Sequence, residues 1–239
     1  MYTRREAIST INKLMLLAGT AQMINPLHLL AAPANFRKVA MDKVQILQSG
    51  KAKMFCPVCG MTLPMFYRTN HAADINGKTH QYCSIHCMHE EAMLEGKEIQ
   101  SPRVVDNTSL KFIDAKDAYY VVGSNKPATM SAVSKYGFAS EEKAKEFAKE
   151  FGGEVMEYEK VSALVSKGLK ADIAMIQKRQ AKAASMGEKI YQKVCKQTPQ
   201  RFSTVADAKV YLQESGICGK LQGKQFQQVG LYLAGKGPK

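Results

Sequence analysis

Histidine is scarce in this 239-residue chain and confined to one side of it: there are five, and none beyond His89. No imidazole in the long remainder can therefore ligate a haem iron. Acidic residues thin out in the same region. Residues 35–160 carry 17 basic and 16 acidic side chains, whereas residues 161–239 carry 14 and 4, net +10 of the chain's +13. This tail lacks the clustered arginines and interleaved aromatics of a nucleic-acid binder, which sets that partner aside. An anionic membrane surface or an acidic partner suits its charge; a solvated lysine-rich surface explains it more simply. After the N-terminal segment no apolar run is long enough to cross a bilayer. No Ser-His-Asp or paired-carboxylate constellation stands out, so the chain does not read as an enzyme.

What is present begins with an export layout over residues 1–34. Thr3-Arg4-Arg5-Glu6-Ala7-Ile8 approximates a twin-arginine motif, with Ala7 where Phe is usual. An apolar stretch, Leu14 to Ile24, follows, and Ala32-Pro33-Ala34 offers a cleavage site before Asn35. No cysteine follows the apolar run, so a lipoprotein anchor is not supported. The expected location is the periplasm, and residues 35–53 read as a linker.

The chemistry is concentrated between Met54 and Met93, which hold four of the six cysteines and four of the five histidines. Cys56 and Cys59 form a CxxC knuckle. After twenty-three intervening residues Cys83 and Cys87 form a CxxxC pair at the start of a helix predicted from Ser84 to Glu95. Two such pairs suit a treble-clef-like metal site. Met61 follows the first knuckle, and thiolate plus thioether is the soft donor set that selects Cu(I). His86 lies inside the second pair and is a candidate ligand, with a solvent-facing helix position as its alternative. From spacing alone, Cys56, Cys59, Cys83 and Cys87 also suit a closed structural zinc site. A thiol–disulfide exchange centre at Cys56-Pro57-Val58-Cys59 would need a helix directly after it, where Gly60 and Pro64 stand instead.

The surrounding pattern is α+β. Residues 66–82 read as a hairpin turned at Asn76-Gly77. SLKFIDA (109–115), AYYVVG (118–123), GFA (137–139) and EVMEYEKV (154–161) read as strands. A helix starting at Ser140 stops at Gly152-Gly153. Two ββα-type modules over 54–162 result. Residues 163–186 read as a helical linker interrupted at Gly187, and 187–239 as a small all-α domain with helices at 204–214 and 221–235.

CPVCGM, the YCSIHCM pair and FIDAKDAYYVVGSNKPATMSAVSKYGFASEEKAKEFAKEFGGEV together resemble the NosL family of nitrous oxide reductase accessory proteins, over about residues 50–162. That resemblance implies a periplasmic Cu(I) metallochaperone that serves nitrous oxide reductase or its copper-assembly machinery, and a fold similar to part of organomercurial lyase. It strengthens Met61 as a ligand and adds Met130, which stands where the family keeps a methionine. The tail is similar to a class I cytochrome c that has lost its haem, through GEKIYQKVC (187–195) and QFQQVGLYLAG. Thr198 and Pro199 stand where the second thioether cysteine and the axial histidine belong, so haem is excluded. Cys195 and Cys218 are the two cysteines left over, and in an oxidising space they are expected to pair.

Overall fold

A computed structural model describes residues 35–235 and 237 of the chain. The export layout expected over 1–34 lies outside these residues. Among them no helix is long and apolar enough to cross a membrane.

The first module grows from the Asn76-Gly77 turn. Both residues take positive φ (52° and 71°), the two-residue geometry whose twist matches paired strands. It joins β1 (His71–Ile75) to β2 (Lys78–Tyr82) with Ile75 opposite Lys78. The segment before it, Leu63–Thr69, is a 3-10 turn rather than the hairpin arm expected from residue 66: Pro64 at its start fixes φ and removes a strand donor. Helix α1 (Ile85–Glu95) follows Ser84 and ends at Gly96 in the left-handed region. Then comes β3 (Gln100–Val105), a strand the sequence did not advertise because Pro102 sits within it. It pairs with β1 on one side and β4 (Phe112–Asp114) on the other, giving the order β2-β1-β3-β4.

The second module repeats the theme with three strands: β5 (Tyr119–Val122) lies between β6 (Lys135–Phe138) and β7 (Glu154–Glu157). Helix α2 (Glu141–Phe151) crosses between β6 and β7; Ser140 caps it by accepting from Lys143 N, and Glu141 and Glu142 sit at its positive end. Phe147 of α2 packs on Tyr136 and Phe138 of β6. Asp106 bridges Gly137, tying the two sheets together.

The strand expected over 154–161 ends at Glu157, where the longest element begins. Helix α3 (Tyr158–Val194) runs for 37 residues, about 55 Å at 1.5 Å per residue. The linker reading of 163–186 and the break at Gly187 are therefore replaced by one continuous helix. Its first half is anchored in the main core, where Val161, Val165 and Leu169 are buried beside Tyr120 and both cysteine pairs. Its second half receives helices α4 (Val205–Ser215) and α5 (Gly223–Leu233). Gly187 marks where α5 crosses: a Cβ there would stand 2.0 Å from Gln228 O. Cys195 and Cys218, 23 residues apart, are joined by a disulfide that closes the connection between α3 and α5 around α4. The described residues group as one compact unit, so the tail is built onto the cysteine-bearing modules.

Candidate metal centre

The first knuckle is a narrow hairpin. Phe55 bridges Thr62, Leu63 N donates to Met54 O, and within it Cys56 N donates to Met61 O and Gly60 N to Cys56 O. The chain reverses at Gly60, whose φ of 70° and close approach to Val205 admit no side chain. The second pair straddles a strand end and a helix start. Cys83 follows β2, and beyond the extended Ser84 Cys87 lies in the first turn of α1.

These two supports bring all four sulfurs within 4.8 Å of one another. Cys59 Sγ is 3.5 Å from Cys83 Sγ, and Cys83 Sγ is 3.7 Å from Cys87 Sγ. A tetrahedral ion with sulfur bonds of ~2.3 Å would have sulfurs ~3.8 Å apart. The quartet already stands near that spacing, with each cysteine at most 1% exposed. Chemically it can take a soft ion without rebuilding the fold.

Burial opposes ionisation of Cys56, but hydrogen bonds from the thiols of Cys59, Cys83 and Cys87 overcome it and hold Cys56 well below the usual thiol range. Cys83 and Cys87 are pushed well up, first by burial and then by facing Cys56. Cys59 is raised by its hydrogen bond to Cys56. A thiol binds a metal as the thiolate, so an ion entering this cluster competes with protons for its sulfurs.

The other candidates are distributed unevenly. Met61 and Met130 are partly buried and both pack against the core that contains the four cysteines. Met130 has a left-handed backbone, φ 56°, unusual outside glycine. Its loop is tied to the second pair: Thr69 Oγ1 lies 2.8 Å from Cys83 O, to which it donates, and 2.9 Å from Thr129 Oγ1. His86 does not join the sulfurs. His86 precedes Cys87 by one position on α1, so its side chain leaves the helix about 100° round from that of Cys87. His86 is buried instead beside two carboxylates, Nε2 3.3 Å from Glu90 Oε2 and Nδ1 3.7 Å from Asp172 Oδ2. His89 faces α3, where Ser162 and Ser166 approach its two nitrogens. His71, on β1, holds Thr69 O through Nδ1 and Tyr120 Oη through Nε2, both at 3.1 Å. Among the described residues, the four cysteines are the one convergent group of three or more cysteine, histidine or carboxylate donors.

Sequence reasoning missed Lys209. It lies on α4 and is 1% exposed, with Nζ donating to Gly60 O at 2.7 Å, Thr62 Oγ1 at 3.1 Å and Gln227 Oε1 at 3.1 Å. The rings of Phe55 and Phe226 flank the ammonium at 4.2 and 4.6 Å. Burial pushes Lys209 down to about 7, against the opposing pull of Cys59 and Cys56. One signal was available: Val205, Ala208, Lys209 and Leu212 occupy i, i+3, i+4 and i+7, so a lysine stands inside an apolar stripe.

Residues 48–165 match the NosL family model. No curated protein matches the chain. Among solved structures, the crystal structure of the copper chaperone NosL from Shewanella denitrificans aligns with 51% of this chain and 94% of that one, at 20% identity and a TM-score of 0.37.

Proposed function

Because residues 48–165 of this chain belong to the NosL family, we propose that the protein is a copper-binding accessory protein that takes up Cu(I) and passes it on by ligand exchange rather than catalysis. The observation that carries the reading is the buried convergence of Cys56, Cys59, Cys83 and Cys87. Thiolates are the donors that favour Cu(I) over hard cations, and the thioethers of Met61 and Met130 are placed on the same core. Transfer requires that one of the enclosed sulfurs give way to a ligand of the recipient. We assign the recipient as nitrous oxide reductase or its copper-assembly machinery, and the location as the periplasm. Both follow from what the family resemblance implies.

A specific observation favours a second reading. The 3.5 and 3.7 Å sulfur separations and near-complete enclosure also suit a structural zinc ion with four thiolates. Thiol–disulfide exchange fits less well, since an attacking partner must reach a sulfur and all four are buried. Metal analysis of protein purified anaerobically and reduced separates the readings. Copper binding, resistant to competition by a chromophoric Cu(I) chelator and weakened by Cys59→Ser or Met61→Ala, is expected. One equivalent of tightly held zinc, with copper unable to displace it, would overturn the copper reading.

A further inference from the structure

A buried ammonium ordinarily has a carboxylate beside it, since an isolated buried charge is costly. Lys209 has none among the described residues; it is held by the carbonyl of Gly60, one hydroxyl and one amide. Gly60 is the residue immediately after Cys59. The α4–α5 pair touches the same knuckle in three further ways. Gln227 Nε2 donates to Cys59 O at 2.9 Å, Phe226 packs on Phe55, and Val205 fills the space that Gly60 leaves open. Gly230 on α5 leaves equivalent room for the Lys209 stem, since a Cβ there would stand 2.7 Å from Lys209 Cγ. The tail therefore has a socket for this one side chain, built from both of its helices and opened onto the knuckle.

We propose that the C-terminal helical pair is a cap on the metal centre, with Lys209 as its positioning residue: the ammonium fixes the Gly60 turn and supplies the positive charge that the thiolate cluster lacks when loaded. Four thiolates around Cu(I) carry a net charge of −3, and around Zn(II) −2. In a buried site such a charge needs a nearby cation, and Lys209 is the ammonium placed there. Groups that support ligands without touching the ion commonly change metal affinity by about 10- to 100-fold. The inference rests on the cluster binding a soft metal ion, and it assigns to the tail, which lies outside the family match, a role at that ion.

The test uses the full chain and its Lys209→Met and Lys209→Gln variants, titrated with Cu(I) against a chromophoric chelator and with Zn(II) against a fluorescent one. Melting of the metal-free proteins is recorded in parallel. Methionine keeps the stem and removes the charge, so the metal-free melting temperature is expected to hold or rise, while Kd for the bound metal rises about 10- to 100-fold. A role in packing alone would move melting and leave Kd at the parent value, and that result overturns the proposal. If Lys209→Met does not fold, Lys209→Gln decides: it retains a donor for Gly60 O without the charge, and a parent-like Kd counts against the cap. A parent chain that binds neither ion overturns the metal reading and this one together; a parent that binds, with variants that match it, overturns this one alone.

Discussion

His71 stores a pH dependence. Its Nδ1–H donates to Thr69 O and its Nε2 accepts from Tyr120 Oη, an arrangement that fits the neutral ring. Complete burial pushes its pKa down to about 3, and burial likewise pushes His89 down to about 4. The unfolded chain protonates both near 6.5, so between that value and the folded ones it binds more protons than the native state. Stability from these rings is fully present above pH 6.5 and is lost as pH falls toward 3–4, at about 1.4 kcal/mol per pH unit for each ring. Denaturant melts of metal-free protein from pH 4 to 7 should show this slope. His71→Asn, which keeps a donor for Thr69 O, should remove about half of it; an unchanged slope would mean that the ring titrates elsewhere. Lys209 and His71 also show why single residues resist reading: the sequence supplies their identities, but only tertiary packing supplies their burial.

Elements were more legible than residues, and the exceptions have causes. The hairpin at Asn76-Gly77, the helix capped by Ser140 and the two cysteine pairs each carry a local signal, and each forms where that signal stands. β3 has no such signal, because a proline-bearing segment becomes a strand only through the partners on either side of it. Helix α3 was divided at Gly187 because glycine is a poor helix former. Here its missing side chain is what lets α5 cross. Gly168, on the same helix, has nothing within 4 Å of where a Cβ would be. The two positions make a matched pair. Gly168→Ala should raise stability by about 0.5–1 kcal/mol through helix propensity. Gly187→Ala gains the same propensity but drives a methyl into the Gln228 carbonyl, and should lose about 1–3 kcal/mol overall. Thermal melts read both signs, and a stabilising Gly187→Ala would mean that the crossing is looser than it stands.

Across the molecule, two kinds of sulfur coexist. Four cysteines are free and clustered, and two are paired between the end of α3 and the α4–α5 connection. Thiol counting on the unreduced, denatured, metal-free chain should therefore give four of six; six would remove the disulfide. Closing a loop of 23 residues stabilises by roughly 3 kcal/mol in the chain-entropy estimate. A mild reductant should lower the melting temperature of the metal-free protein, and Cys195→Ala/Cys218→Ala should reproduce the loss without changing the cluster's thiol count. A sequence reading that makes the tail a separate domain cannot anticipate that it closes over the knuckle, since no local pattern encodes a contact so distant.

The hydrogen bond from Gln227 to Cys59 spans 168 residues of chain. At a synthesis rate of ~5–20 residues per second, the helix that finishes the knuckle is made roughly 8–34 s after the knuckle itself. Until then Cys59 O lacks its donor and Lys209 lacks one of its three acceptors, so the knuckle reaches its final set of hydrogen bonds only when the last helix has been made.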